Sequence, residues 1–254
     1  MYHEFVPHLA LRPFVDRLWI RTTRDGARDP VHVLPDGCID IIFDGVRGEA
    51  SVVGPMTRSL VFAPSVPMRF VGVRFRPGGA FPLLRLPADS LTDRACAYGD
   101  IGARTFVLPD LEEHADPAQA ARRLEQALLA KLRDVTQPEA RVQYVVQSLF
   151  SASPPPIDAL ARHIGWSRQH LARTLRVHVG VGAKHLARTA RLHRAIALMH
   201  RQPRATLAAA AAALGYFDQA HMAADFRELV GIAPHRVLQA PGSIFPIRSL
   251  FESA

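Results

Sequence analysis

The stretch LGYFDQAHMAADFRELVGIAP, residues 214–234, has a counterpart upstream in the stretch IGWSRQHLARTLRVHVGV, residues 164–181. In each stretch a glycine and an aromatic residue end one helical pattern, and a second helical pattern follows up to another glycine. Gly165-Trp166 corresponds to Gly215-Tyr216 with an offset of 50 residues, whereas the later matches are offset by 51. The second copy therefore carries one extra residue in its turn. Two helices joined by a short turn with a glycine form the helix-turn-helix pattern.

Helical periodicity continues on both sides of each turn. Apolar spacing and turn residues predict helices at about residues 157–164, 168–178, 207–214 and 218–230. A longer helix, from Ala183 to about Arg201, joins the two units; at ~1.5 Å per residue it is roughly 27 Å long. Successive major-groove faces on one side of B-DNA lie ~34 Å apart. A rigid connector of that length can set two reading helices into neighbouring turns of one groove.

The positive charge lies in the same part of the chain. Residues 1–137 hold 17 basic and 17 acidic side chains, whereas residues 138–254 hold 14 basic and six acidic ones, so the whole net charge of +8 is C-terminal. Nearly all of the cations are arginines, whose planar fork suits phosphates and guanine edges. The asymmetry favours a polyanionic partner, although a basic solvated surface would give the same count.

The N-terminal half has a different pattern. Turn residues separate short β-like runs at 31–34, 38–43, 51–53, 60–62 and 68–75, and a helix is predicted at about 117–133. Residues 8–19 have near-helical apolar spacing and are predicted as a short helix interrupted near Pro13. The predicted fold class is α+β: an N-terminal antiparallel β sheet or barrel with packed helices, and a C-terminal all-α domain of two helix-turn-helix units joined by a linker helix.

Length and composition fit two ordinary domains. We assign residues 1–134 to an N-terminal sensor or dimerisation domain, 138–238 to the double helix-turn-helix domain, and 239–254 to a loosely structured tail. No apolar run is long enough for a membrane helix, and no secretory signal is visible. Two cysteines, Cys38 and Cys96, cannot form a disulfide framework, so a cytoplasmic location is expected.

Taken together, the C-terminal residues resemble the AraC/XylS family of bacterial transcription regulators over about residues 139–238. The positions that carry the resemblance are Ala161, Ile164-Gly165-Trp166-Ser167, His170-Leu171, Leu175-Arg176, Gly180-Val181, Arg191-Leu192, Ala195, Gly215-Tyr216, Asp218-Gln219-Ala220-His221, Phe226-Arg227 and Gly231-Ile232-Ala233-Pro234. Residues 34–40 and 72–79 resemble one uncharacterised N-terminal type in that family, and this match brings no ligand with it. The resemblance implies a sequence-specific DNA-binding transcriptional regulator controlled through its N-terminal domain. The partners it implies are double-stranded DNA, a small-molecule effector, a second copy through the N-terminal domain, and RNA polymerase, with no membrane.

The resemblance also implies that two recognition helices occupy adjacent major-groove segments. On the first, the outer face offers Arg168, Gln169, Ala172, Arg173 and Arg176. We expect Arg173 to read a guanine edge and Gln169 an adenine, since these side chains can form paired hydrogen bonds with those bases. Arg168 and Arg176 are expected to contact phosphates.

The second recognition helix has few polar side chains. Its outer face offers Gln219, Ala220, Ala223 and Ala224. Alanine can touch a thymine methyl group but cannot donate a hydrogen bond. The second unit is therefore expected either to read bases through Gln219 alone or mainly to hold the DNA backbone, through Arg227 and amides at the start of the helix.

Three N-terminal residues, His32, Asp36 and Asp40, are candidate ligand-binding residues, although Asp36 could equally cap a turn. Cys38 is expected to be a buried strand residue, because two nearby acids would raise the pKa of a thiol. No metal site, cofactor or catalytic constellation is predicted. Two alternatives of other classes remain: an enzyme domain that transforms a small molecule and is fused to a DNA-binding module, and a nonspecific nucleic-acid or partner-helix scaffold.

Overall fold

A computed structural model describes residues 1–23, 31–62, 68–101, 116–239 and 244–245, and its N-terminal half is built on β-sheets. The strands within these residues are β1 (Tyr2–Phe5), β2 (Val15–Thr22), β3 (Val31–Val33), β4 (Ile39–Asp44), β5 (Glu49–Val53), β6 (Leu60–Phe62), β7 (Arg69–Phe75), β8 (Ala95–Ala97) and β9 (Ile244–Phe245). The larger sheet is antiparallel and has the order β1-β2-β7-β4-β5-β8. A smaller sheet has the order β6-β3-β9.

Among the described residues of this half, two α-helices are present: α1 (Phe81–Leu84) and α2 (Pro117–Lys131). The inner face of α2 carries Leu124 and Leu128, which are buried in one core with residues of β2 and β7. The apolar period of α2 therefore faces the sheet, as a helix that covers a sheet requires.

The prediction of a short helix over residues 8–19 is wrong. Only a 3-10 turn, Leu9–Leu11, is helical, and the residues from Val15 onward form β2. This strand pairs with β1 on one side and β7 on the other, and its residues from Val15 to Ile20 are all buried. A central strand buried on both faces loses the alternation of apolar and polar residues, so its apolar positions can imitate helical spacing.

Gly72 in β7 makes room for a large side chain of the neighbouring strand. It pairs with Trp19 of β2, and a Cβ atom at Gly72 would lie 2.3 Å from Cε2 of the indole. The absence of a side chain at position 72 lets the Trp19 ring lie across the sheet. In that position the indole Nε1 donates a hydrogen bond to Asp40 Oδ1 at 3.0 Å.

The C-terminal half is helical. Its helices are α3 (Ala140–Phe150), α4 (Ile157–His163), α5 (Arg168–Val179), α6 (Ala183–Arg201), α7 (Leu207–Ala213), α8 (Gln219–Val230) and α9 (Pro234–Gln239). Leu171 and Leu175 of α5 lie in one apolar core, and Met222 and Phe226 of α8 lie in a second. Helix α6 contributes residues to both cores and joins the two units.

The predicted fold class is confirmed: an antiparallel sheet with packed helices precedes an all-helical part. None of the helices in the described segments has the length and apolar character needed to span a bilayer. In the predicted tail, Gln239 ends α9 and Ile244–Phe245 pair in parallel with β3. The other tail residues lie outside the described part of the chain.

Candidate nucleic-acid interface

The first helix-turn-helix unit comprises α4 and α5. Gly165 has a φ of +72°, a left-handed conformation that glycine adopts without strain, and Trp166 N–H donates to Ala161 O at 2.9 Å. Ser167 then caps α5, since its Oγ accepts a hydrogen bond from His170 N–H at 3.1 Å. Helix α5 ends at Gly180, where φ is +86°.

The second unit, α7 and α8, repeats this geometry. Gly215 has a φ of +71°, and Tyr216 N–H donates to Ala211 O at 3.0 Å. Asp218 caps α8 by accepting a hydrogen bond from His221 N–H at 2.7 Å. Helix α8 ends at Gly231, where φ is +82°. The two sequence copies therefore fold into matched modules with matched turn and cap residues.

The matching histidines pack against the turn aromatics. The ring of His170 lies edge-on to Trp166 at 4.6 Å between centroids, and His221 lies edge-on to Tyr216 at 5.3 Å. Both histidines are therefore part of the contact between the turn and the start of the following helix, α5 or α8.

The outer face of α5 is polar and basic. Gln169, Arg173 and Arg176 are exposed, and Ala172 is half-buried. Within the described part of the chain, neither Arg173 nor Arg176 makes a hydrogen bond or an ion pair with another residue. Arg168 is also exposed, but its guanidinium pairs with Asp158 of α4. Two arginines one turn apart on this face thus keep their donors available to a partner.

The outer face of α8 is poorer in donors. Gln219, Ala220 and Ala224 are exposed, and Ala223 is half-buried. Arg227 is exposed, and its Nε donates to Ala223 O of the same helix at 3.2 Å. Most of this face is therefore methyl groups, with Gln219 near its N-terminal end.

Three arginines of α6 form hydrogen bonds or ion pairs with other residues of the helical half. Arg188 and Arg191 both donate to the buried carboxylate of Asp225 in α8, at 2.8 and 3.3 Å, and Arg188 also reaches Glu228 at 2.6 Å. Arg194 donates to the carbonyls that end α3. The charge asymmetry alone does not separate these arginines from Arg173 and Arg176, because it counts charges and not the contacts that Asp225 and the carbonyls at the end of α3 make with α6.

Arg191 also lies over the ring of Tyr216, with its Cζ 4.3 Å from the centroid. Burial, together with the nearby charge of Asp225, raises the pKa of Tyr216 to about 12. Tyr216 therefore stays neutral, and the turn of the second unit is fixed to α6 by a cation–π contact.

The N-terminal half contacts both α5 and α8 at their C-terminal ends. Thr92 Oγ1 donates to Gly180 O, at the end of α5, at 2.8 Å. Ser59 N–H donates to Leu229 O, at the end of α8, at 2.7 Å. The last carbonyls of a helix have no partner within the helix, so these donors satisfy them.

A third contact joins the N-terminal half to α6. The imidazole Nε2 of His193, which is buried, lies 2.7 Å from Pro35 O. Leu34 is buried in the core of the second unit, and a Cβ atom at Gly37 would lie 2.9 Å from Leu186 of α6. The 34–37 loop is therefore packed into the helical half.

A cavity of about 110 Å³ lies on the sheet beside these loops. Its lining residues are Tyr2, Trp19, Arg21, Val33, Asp36, Cys38, Asp40, Ile42, Val53, Gly54, Met56, Leu60, Phe70 and Arg74. Two of the three candidate ligand-binding residues are brought together here: Arg74 lies 3.1 Å from Asp40 and 3.5 Å from Asp36. His32, in β3, is not among the lining residues, although its neighbour Val33 is. Arg74, which was not predicted from the sequence, forms ion pairs with both carboxylates.

The electrostatics of this cavity follow from burial. Burial raises the pKa of Asp36 to about 6, although Arg74 opposes that change. Burial and the negative charge of Asp36 raise the pKa of the Cys38 thiol well above its usual value. Asp36 also accepts a hydrogen bond from Cys38 N–H at 2.7 Å, so it does form a turn contact as well as an ion pair.

Two family models match separate parts of the chain. One, described as a helix-turn-helix domain, matches residues 160–240, and the other, described as Domain of unknown function (DUF6597), matches residues 3–97. No curated protein matches the chain significantly in sequence.

Solved structures of ToxT from Vibrio cholerae are similar at low identity. One, at 1.65 Å resolution, is 9% identical with a TM-score of 0.47, over 87% of this chain and 98% of that one. Another, wild-type ToxT of strain SCE256 with an unsaturated fatty acid bound, is 12% identical with a TM-score of 0.45, over 90% of this chain and 97% of that one. Likeness at this level says nothing about the function of this chain.

Proposed function

We propose that this chain, whose C-terminal part matches a helix-turn-helix domain of the AraC type and whose N-terminal part matches DUF6597, is a sequence-specific transcriptional regulator. The two units would read adjacent major-groove segments of double-stranded DNA. The proposed domains are residues 1–134 and 138–238.

One observation carries the proposal: Arg173 and Arg176 are exposed on the outer face of a capped recognition helix and have no partner among the described residues. Nearby arginines of α6, by contrast, are held by Asp225 or by backbone carbonyls. A charged side chain that the fold leaves unpaired on such a helix is available to a phosphate or a base edge.

The proposed roles follow from side-chain chemistry. Arg173 reads a guanine through a pair of hydrogen bonds, and Gln169 reads an adenine. Arg176 contacts a phosphate; Arg168 does so if it leaves Asp158. In the second unit, Gln219 is the polar reader and Arg227 contacts the backbone.

We further propose that the N-terminal domain controls DNA binding. It contacts the C-terminal ends of α5 and α8, and its 34–37 loop packs on α6. Asp36, in that loop, also lines the cavity. A small molecule bound there and preferring one loop position would change the population of domain arrangements, and with it the affinity for DNA. A second copy and RNA polymerase remain proposed partners.

No catalytic role is proposed for the cavity. Cys38 is a side chain of the cavity that could act as a nucleophile, but only as a thiolate. The raised pKa of this thiol keeps it protonated. The enzyme alternative therefore gains nothing from the geometry around Cys38.

The test begins with selection of bound duplexes from a random pool by the full chain. Affinities of the wild type, Arg173→Ala and Arg176→Ala are then measured on selected and scrambled duplexes over a range of salt concentrations. We expect Arg173→Ala to lose ~10- to 100-fold on the selected duplex, and little on the scrambled one. Arg176→Ala should weaken binding to both and lower the salt slope by about one.

Arg47→Ala is the matched control, because Arg47 is an exposed arginine in the turn between β4 and β5. It should leave both affinities unchanged. Equal affinity of the wild type for selected and scrambled duplexes would contradict sequence-specific recognition and favour the nonspecific scaffold.

A further inference from the structure

The extra residue of the second helix-turn-helix unit is Phe217. In the first unit the turn aromatic, Trp166, is followed directly by the N-cap, Ser167. In the second unit Tyr216 occupies the aromatic position and Asp218 is the N-cap, so Phe217 stands between them without a counterpart. The insertion therefore adds one large apolar side chain immediately before a recognition helix.

Phe217 is not part of the core. Its exposed fraction is 91%, whereas Tyr216 is buried. An apolar residue before an N-cap often packs on the fourth residue of the helix, which here is Met222. Met222 is already fully buried in the core that contains Tyr216. The usual structural role of a residue at this position is therefore not filled by Phe217.

The neighbourhood of Phe217 indicates what it contacts. Recognition helices approach base edges with their N-terminal residues, and Phe217 directly precedes that end of α8. Among the exposed residues that follow, Asp218 caps the helix and His221 lies against Tyr216, whereas Gln219, Ala220 and Ala224 supply one amide and two methyl groups. The net charge of +8 arises within residues 138–201, which contain the first unit and α6, whereas residues 202–254 hold four basic and four acidic side chains. A DNA duplex bound by the basic first unit and continuing along the groove to α8 is therefore the partner that Phe217 would meet.

We propose that Phe217 contacts the 5-methyl group of a thymine in the major groove and is a specificity-determining residue of the second unit. This rests on the proposed function. Apolar side chains distinguish thymine from the other bases through that methyl group. The alanine-rich face of α8 is then an apolar reading surface, and Phe217 extends it beyond the start of the helix.

The test uses duplexes selected from a random pool by the full-length wild type. Each thymine of the selected site is replaced in turn by deoxyuridine, which keeps the pairing and removes only the methyl group. Binding is measured for the wild type, Phe217→Ala and Phe217→Leu. Leu9→Ala serves as the matched control, since Leu9 is a 71% exposed apolar residue of the N-terminal half.

For the wild type we expect one or two thymines at which deoxyuridine weakens binding roughly fourfold, about the contribution of one buried methyl group. Phe217→Ala should bind the thymine duplex several-fold more weakly and show no further loss with deoxyuridine at those positions. Phe217→Leu should retain part of the sensitivity. Leu9→Ala should behave like the wild type.

Two results would overturn the inference. If Phe217→Ala keeps the wild-type affinity and the same deoxyuridine profile, Phe217 does not read DNA, while the proposed function stands. Such a result combined with a change in self-association, measured by sedimentation, would assign Phe217 to a contact between copies. If the wild type prefers no duplex over any other, the proposed function fails first, and the inference fails with it.

Discussion

Replacing Gly180 with alanine tests the contact between the N-terminal half and the first recognition helix. A Cβ atom at this position would lie 2.5 Å from Cγ of Pro55 and 2.9 Å from Ala88 O, both in the N-terminal half. Gly231 is the matched control, because it ends α8 with nearly the same φ, +82° against +86°. At Gly231 no described atom lies within 4 Å of the added Cβ.

Gly180→Ala and Gly231→Ala should both lower the unfolding free energy, and the two losses should differ only by the clash of the new Cβ atom at position 180. Alanine in a left-handed conformation costs about 1 kcal/mol at either position. At Gly180 the variant must also either overpack the contact, at ~1–3 kcal/mol, or separate the surfaces. Separation loses the hydrogen bond from Thr92 Oγ1 to Gly180 O, at about 1 kcal/mol, together with the packing around it. We therefore expect about 1 kcal/mol for Gly231→Ala and about 3 kcal/mol for Gly180→Ala.

Thermal unfolding of the full chain, followed by circular dichroism, measures this difference. For a chain of this size 1 kcal/mol corresponds to ~2–4 °C, so Gly180→Ala should lower the Tm about three times as much as Gly231→Ala. Two separate transitions in Gly180→Ala alone would also agree, since the halves would then unfold independently. Equal shifts for the two variants would refute the contact between Gly180 and the N-terminal half.

Two further predictions concern buried charge. Asp225→Asn should cost ~3 kcal/mol in urea unfolding, because it leaves Arg188 and Arg191 without their shared carboxylate. Glu228→Gln, which removes the exposed partner of Arg188, should cost under ~1 kcal/mol; equal costs would contradict a special role for Asp225. Burial lowers the pKa of His193 to about 4, so the folded chain binds fewer protons than the unfolded one between pH 6.5 and 4, and His193 makes the protein less stable as the pH falls through that window. Asp36, with its pKa raised to about 6, changes the stability in the opposite direction, so the effect of His193 is isolated by comparing the wild type with His193→Gln. The difference in unfolding free energy between these two proteins should change by about 3 kcal/mol from pH 7 to pH 4. A difference that stays constant with pH would show that His193 is not held neutral.

The helical half was predictable because its local signals agree with its packing. Glycines at 165, 180, 215 and 231 all have positive φ in the structure, and Ser167 and Asp218 both cap helices. Each of these residues has a conformational preference that acts within one turn of chain. The predicted bounds of α6, Ala183–Arg201, coincide with those observed.

The N-terminal half was less predictable because its interactions join residues far apart in the chain. Val15–Ile20 has helical spacing, yet the partners on either side make it a central strand. Arg74 became important only when the sheet placed β4 and β7 side by side, which brought Asp40 opposite it. The register between strands 30 residues apart has no local signal in the sequence. Asp36 and Asp40 were therefore predicted as candidate residues, whereas Arg74, which pairs with both, was not.

Among the described residues, the N-terminal half contacts α5 and α8 near the C-terminal ends of these helices and not at their N-terminal ends. Recognition helices read bases near their N-termini, where Ser167 and Asp218 cap α5 and α8. The N-terminal half holds the opposite ends, at Gly180 and Leu229. Each helix has 12 residues and is therefore roughly 18 Å long. Under the proposed control, a shift at the C-terminal end would move the N-terminal end as well, and the surface proposed to meet DNA would stay open. Ser59 lies next to Leu60, a lining residue of the cavity, so under the proposed control by the N-terminal domain an occupant of the cavity would act on α8 through Ser59.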